Sequence, residues 1–377
     1  MRSFVFTDAA LGRQAGRFVW LAMDTEKAAN ASFRTKYLAE ALPTYFIVDP
    51  ATETPALRWV GGATVAQLQK VLDDGANAVA NRGKGLDVEL ARADRFYATG
   101  KNKEAVQGYR DVLAKAPKGW PGYGRATESL LFALQRVDDD AACAATAREA
   151  FPRLAKTSSA ANVAATGLGC ALDLKADAPG REELVAEMVG FCQRVLADRT
   201  TKIAADDRSS VYDTLLEERT QAKDEAGRKK VAADWAAFLE GEAAKAKSPD
   251  GRAVFDSHRL GAYLAMGAPE RAAAMLEASE RDLPDDYNPP ARLASAYKAM
   301  GRLDDALLAS DRALAKVYGP RRLLVLRNRA DILVAKGDPA AAKATLREAL
   351  ASARAMPEGQ RSEGTIAALV KKLESIP

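Results

Sequence analysis

Gly267 and Gly301 stand 34 residues apart, each with a tyrosine four residues before it (Tyr263, Tyr297) and an alanine five residues after it (Ala272, Ala306). A chain that repeats at this period is built from helix-turn-helix units. No such unit buries its own apolar face, so each must stack on its neighbours. The frame fits again around Gly100, with Ala93, Phe96, Ala105, Tyr109 and Pro117 in the corresponding places, and around Gly337, with Ala330, Leu333, Ala342, Leu346 and Ala349. Small residues at fixed positions let two helix backbones approach, large apolar residues fill the space between them, and glycine makes the turn. Pro284, seventeen residues after Gly267, ends the second helix of its unit. Gly301 and Gly337 are 36 apart, which places a two-residue insertion near Gly319-Pro320.

These segments resemble tetratricopeptide (TPR) repeats. The resemblance implies a mainly α fold, a TPR-like α-solenoid of stacked helical hairpins over residues 86–377, whose role is to bind a protein or peptide. Between the first clear unit and the last three, residues 128–137, 140–154, 159–172, 181–197, 205–221 and 225–246 keep helical spacing without the repeat signature. At about 36 residues per unit the chain holds on the order of eight hairpins. A final helix over 364–375 places Ile366, Leu369, Val370 and Leu373 on one face and is expected to cap the stack.

The first 75 residues follow another pattern. A short helix is expected over 4–16, a buried strand over Phe18–Met23 (FVWLAM), a helix over 26–40, and strands over Thr44–Val48 and Ala56–Val60. Gly61-Gly62 makes a bend, and Thr64 caps an amphipathic helix over 64–72. This α-β-α-β-β-α order, with Ala41-Leu42-Pro43-Thr44 directly before an apolar strand, resembles a thioredoxin-like fold without its front. The resemblance implies that Leu42, Pro43 and Thr44 form a cis-proline loop and that a CxxC and the central strand belong upstream of Met1. Two expectations follow. Either Met1 is an internal start of a longer thiol-disulfide oxidoreductase, or the segment is a truncated, redox-inactive remnant that pairs its two open strand edges directly or with another chain. Residues 75–85 (GANAVANRGKG) are the expected linker, giving domains at 1–75, 76–85 and 86–377.

Fifty-five Lys and Arg against 51 Asp and Glu, with signs interleaved, give a net charge of +4. So mild a balance points to neither nucleic acid nor a membrane surface, and no apolar run reaches the roughly 18 residues a membrane span needs. The N-terminus carries no signal peptide, so the expected location is cytoplasmic for this chain and periplasmic or secreted if a leader lies upstream. The cysteines, Cys143, Cys170 and Cys192, form no CxxC, and the single histidine, His258, has no Cys beside it. They read as buried structural thiols, with a Cys170–Cys192 disulfide as the alternative in an oxidising compartment. No metal site, cofactor site or catalytic residue is expected.

In TPR proteins the first helix of each pair lines the binding groove. Carried onto this sequence, that makes Asn288, Ser295 and Lys298 in one unit, and Arg327, Asn328 and Asp331 in the next, the groove candidates. Ala291 and Ser295 stand where chaperone-binding members carry lysine and asparagine, so a carboxylate clamp is not expected, although Arg327 and Asn328 suit an acidic ligand. The densest basic run, Arg321, Arg322, Arg327 and Arg329, reads as a solvated helix face. The repeat tyrosines read as packing.

Overall fold

The computed structural model describes residues 5–37, 39, 42–80 and 85–377. It is mainly helical, with a small two-stranded sheet near the N-terminus. A short helix α1 (Ala31–Lys36) precedes β1 (Thr44–Asp49) and β2 (Thr54–Val60), and α2 (Val65–Val79) follows them. Hairpins come next: α3 (Leu86–Ala98) with α4 (Asn102–Lys115), α5 (Tyr123–Gln135) with α6 (Asp140–Leu154), and α7 (Ala160–Asp173) with α8 (Arg181–Ala197). Then come α9 (Ala205–Gln221), α10 (Glu225–Ala244) and α11 (Pro249–Ala253). The series continues with α12 (Asp256–Met266) and α13 (Pro269–Asp282), α14 (Asn288–Ala299) and α15 (Leu303–Leu314), and α16 (Arg321–Ala335) and α17 (Pro339–Arg354), with α18 (Glu363–Ser375) last. The chain forms two compact units. The first takes Met1–Val19 and Tyr37–Glu225; the second takes Trp20–Lys36 and Ala226–Pro377.

The repeat glycines work as left-handed helix stops. Gly100, Gly267, Gly301 and Gly337 have φ of 76°, 75°, 73° and 80°. The N–H of the residue after each returns to the carbonyl four before it: Lys101 to Phe96, Ala268 to Tyr263, Arg302 to Tyr297 and Asp338 to Leu333, at 2.8–2.9 Å. This is the Schellman closure, which satisfies carbonyls that a helix end leaves open. The alanines five residues on (Ala105, Ala272, Ala306, Ala342) are all 0% exposed, as close helix contact requires.

Two further turns share this geometry without glycine. Asp138 and Lys223 both have φ of 55°, and Asp139 N returns to Leu134 O at 3.1 Å as Asp224 N does to Arg219 O at 2.9 Å. The helix-stop geometry therefore continues into the region where the repeat signature fades, with the turn residue and its flanking positions changed. Asp139 caps α6 by accepting from Ala142 N at 3.1 Å. Tyr263 and Tyr297 do more than pack. Their hydroxyls donate to Glu240 and Glu277 at 2.6 and 2.7 Å, and Arg271 and Arg302 lie over the rings at 4.7 and 4.5 Å. Leu369 of α18 is buried against Leu346 and Ala353 of the last hairpin, with Ile366 and Leu373 beside it.

The N-terminal region departs from expectation. Phe18–Met23 forms no strand, and Val19 and Leu21 are 88% and 77% exposed. No sheet edge of the expected kind exists there, because from Trp20 to Lys36 the chain belongs to the second unit. The helix expected over 4–16 is a 3-10 turn, Ala9–Gln14. The one expected over 26–40 reduces to a 3-10 turn, Ala28–Asn30, and α1; residues 38, 40 and 41 lie outside the described residues. β1 and β2 pair antiparallel with an irregularity at Ile47/Val48. Ile47, Leu57 and Trp59 build a small core with Leu68, Val71 and Leu72 of α2. Thr64 and Gln67 cap that helix reciprocally, at 3.2 and 2.9 Å. Gly75, read as the start of a linker, is helical: a Cβ there would sit 2.2 Å from Ile47 Cδ1, so glycine permits the approach of α2 to β1. Residues 76–79 of that segment continue α2, and residues 81–84 lie outside the described residues.

The disulfide joins Cys143 of α6 to Cys170 of α7, and the expected Cys170–Cys192 alternative is corrected by this pairing. α6 and α7 approach closely at this level, where a Cβ at Gly167 would lie 2.4 Å from that of Ala147. Cys192 of α8 is a buried free thiol, pushed well above its usual range by burial. Replacing Cys143 and Cys170 together by alanine should lower the stability of the first unit by about 3 kcal/mol, the scale of closing a loop of this length. Calorimetry of wild type and variant, each with and without reductant, checks this; the variant should not respond to reductant.

Candidate functional site

The residues thirteen, ten and six positions before the turn residue share one face of the first helix of a pair, except at Gly267, where the first of them, Val254, lies in the turn before α12. In the first unit this face is engaged. Arg125 and Glu128 of α5 hold the first two of these positions relative to Asp138, and Asp94 of α3 holds the third relative to Gly100. Arg125 Nη1 donates to Asp94 Oδ2 at 2.5 Å, Tyr109 Oη donates to Asp94 Oδ1 at 2.9 Å, and Arg125 Nε lies 3.9 Å from Asp74 of α2. Arg58 of β2 covers the Tyr97 ring at 4.2 Å. Further along, Asn162 of α7 donates to Glu128 at 2.9 Å. Asp207 Oδ1 of α9 comes within 3.7 Å of where a Cβ at Gly62 would sit. The sheet and α2 therefore rest on this first-helix face of the first unit. What remains is a narrow cleft lined by Arg58, Trp59, Tyr97, Arg125, Glu128 and Phe132.

Burial governs the charges there. It pushes the Asp94 carboxyl up, and the Arg125 guanidinium pulls it back. Glu128, 4% exposed, is raised from 4.5 to about 7 by burial, with partial relief from Ser159 and Asn162. Asp207 is pushed well above its ordinary range by burial and by the nearby Glu128 and Asp206 carboxylates.

The same positions in the second unit are less buried. Relative to Gly267, Gly301 and Gly337 they are Val254, Ser257 and Gly261, then Asn288, Ala291 and Ser295, then Leu324, Arg327 and Asp331. Val254, Ser257, Leu324 and Arg327 are exposed, and the other five are half-buried. Small side chains thus floor the middle of the face, while Leu324 and Arg327 stand at one end. Of the expected groove residues, Asn328 and Ser295 meet, Asn328 Nδ2 donating to Ser295 Oγ at 3.2 Å. Asp331 pairs with Lys372 of α18 at 2.5 Å. Asn288 turns back on Asp286, donating to its carboxylate at 2.8 Å. Lys298 is half-buried on α14 and joins none of these contacts.

The basic run is not a uniformly solvated face. Arg321 pairs with Glu26, Arg322 with Glu348 and Arg329 with Asp311. Arg327 forms no ion pair among the described residues. Of the residues expected to form a cis-proline loop, Leu42 is 54% exposed, the Leu42–Pro43 peptide bond is cis, and Thr44 opens β1. Pro43 O accepts from Gly61 N at 2.8 Å. Among the described residues no group of three His, Cys, Asp or Glu side chains is placed to hold a metal, and no helix is long and apolar enough to cross a membrane. The network around Arg125 and Glu128 escaped the sequence reading because its turn residue is Asp138. The positive φ there is the feature that brings its positions into register.

Stability of the first unit should depend on pH through Glu128. A carboxyl whose folded pKa is raised contributes fully below its ordinary 4.5 and loses that contribution as pH rises through about 7. Denaturant unfolding of wild type and Glu128→Gln should show their stability difference shifting by about 3 kcal/mol between pH 4 and pH 8, in favour of the variant at high pH. A difference independent of pH would contradict the assignment.

No family model matches the sequence, and no curated protein matches it. Among solved structures, the chain is similar to a tetratricopeptide repeat protein from Parabacteroides merdae ATCC 43184, at 13% identity and a TM-score of 0.49 over 78% of this chain and 100% of that one. It is also similar to the TPR2AB-domain:pHSP90 complex of yeast Sti1, at 15% identity and a TM-score of 0.29 over 77% of this chain and 98% of that one.

Proposed function

We propose that this protein is an interaction scaffold whose second unit grips an extended segment of a partner protein on the first-helix face of α12, α14 and α16. One observation carries the reading. The repeat positions that hold Arg125, Glu128 and Asp94 against the chain's own sheet and α2 recur in the second unit with Val254, Ser257, Leu324 and Arg327 exposed, while Asp331 is held by Lys372 of α18. There Ser257, Ala291 and Ser295 are small, Leu324 and Val254 offer apolar contact at 44% and 38% exposure, and Arg327 offers an uncommitted cation. A guanidinium free of internal carboxylates forms charge-assisted bonds with an acidic side chain or a chain terminus. The partner segment is therefore extended, partly apolar and acidic.

A second reading concerns residues 42–79. An antiparallel hairpin followed by a capped helix packed on it is the arrangement that closes a thioredoxin-like fold, and the loop at Pro43 precedes it as that resemblance implies. On this reading the segment, which contains no cysteine, is redox-inactive. A reactive thiol requires an exposed, low-pKa site, whereas Cys143 and Cys170 are bonded and Cys192 is buried. The disulfide also favours an oxidising compartment.

Peptide selection from a displayed random library on the full chain tests the first reading. Enriched peptides should carry apolar and acidic residues, and Arg327→Glu should weaken them at least tenfold, about 1.4 kcal/mol. Indifference to both Arg327→Glu and Leu324→Glu would defeat it. For the second reading, an insulin-reduction assay should show no turnover above the reductant control.

A further inference from the structure

The segment Trp20–Lys36 leaves the first unit after Val19 and returns at Tyr37, and in between it packs on the second. It lies across two successive connections, the one from α15 to α16 and the one from α17 to α18. Asp24 accepts from the Tyr318 hydroxyl at 2.6 Å. Glu26 accepts from Arg321 N and Nε, both at 3.2 Å. Between them, Thr25 O accepts from the buried Gln360 Nε2 at 2.9 Å. Two glycines make room for its backbone. A Cβ at Gly319 would lie 2.1 Å from Glu26 O, and one at Gly359 would lie 2.0 Å from Ala31 O. The two-residue insertion read near Gly319-Pro320 falls at this contact.

The receptor side of this contact is built: a glycine at each backbone approach, a buried amide, a phenol and a guanidinium at the start of α16. The occupant is held lightly. Of its seventeen residues only Thr25 and Ala31 are buried; Phe33 is half-buried, and Trp20, Leu21 and Met23 are 49%, 77% and 37% exposed. The Arg321–Glu26 ion pair is 42% and 19% exposed. Such pairs add little in water, and a segment with so few buried contacts opens well before the helices beneath it.

We propose that this turn edge, formed by Tyr318, Gly319, Arg321, Gly359 and Gln360, is a second peptide-binding site. It selects an extended segment with two carboxylates in an Asp-x-Glu arrangement, and Asp24-Thr25-Glu26 is its releasable competitor within the chain. The tyrosine reads the first carboxylate, the arginine side chain and backbone N–H read the second, and Gln360 reads the backbone between them. This site is distinct from the first-helix face: Arg327→Glu leaves it intact, so the two readings fail separately.

The test uses the full chain and a fluorescent synthetic peptide of residues 20–36. Wild type should bind it weakly, because its own segment competes. Asp24→Lys with Glu26→Lys should bind it at least tenfold more tightly, and adding Arg321→Glu should abolish the gain. Peptide in which Asp24 and Glu26 are replaced by Asn and Gln should not bind. No binding by the double variant, or binding that survives Arg321→Glu, overturns the proposal. Should the double variant fail to fold, hydrogen exchange on the wild type decides. Amides of residues 20–36 should exchange at least a hundredfold faster than those of α14 to α17, and equal protection overturns the proposal.

Discussion

Most hairpins here depend on how the first helix is stopped. A helix end leaves carbonyls unsatisfied, and at Gly100, Asp138, Lys223, Gly267, Gly301 and Gly337 the chain reverses because one residue takes a left-handed conformation and the next N–H returns to the helix. That closure fixes the angle at which the second helix leaves. It brings Ala105, Ala272, Ala306 and Ala342 against the first helix and sets the period of the stack. The tyrosines at the closing carbonyls then reach back through their hydroxyls to the preceding helices at Glu240 and Glu277, so one position ends a helix and also ties it to its neighbour.

Because the turn sets the register, the same face is built repeatedly and given different contents. In the first unit it holds a buried polar network facing the sheet and α2; in the second it carries small and exposed residues. A buried ion pair such as Arg125–Asp94 contributes little net stability, since desolvation offsets the attraction, but leaving either charge alone is costly. Such a network fixes what lies against it. The copy in the second unit carries no such buried charge network.

Much of the α-solenoid was legible, because glycine at a left-handed position and alanine at a close contact are chemically forced. The turns at Asp138 and Lys223 were not, since other residues reach that conformation at a modest cost and leave no composition signal. Gly75 misled for the opposite reason: its role in letting α2 approach Ile47 looks, in sequence, like a linker glycine. The run FVWLAM has the composition of a buried strand, but a strand requires a partner, and pairing is a property of the assembled fold. Of the groove candidates, Asn328 and Ser295 came together while Asp331 was drawn to Lys372. Spacing placed them on a face but did not choose their neighbours.

The sequence by itself determined the helices, the stops and the repeat, because these depend on local sterics and on hydrogen bonds a few residues apart. Only the tertiary structure decided which cysteines join, where Trp20–Lys36 lies and which copy of the repeated face is less buried. Those outcomes depend on contacts between residues as much as 335 apart, as between Thr25 and Gln360, and no local pattern records which of several compatible surfaces meet.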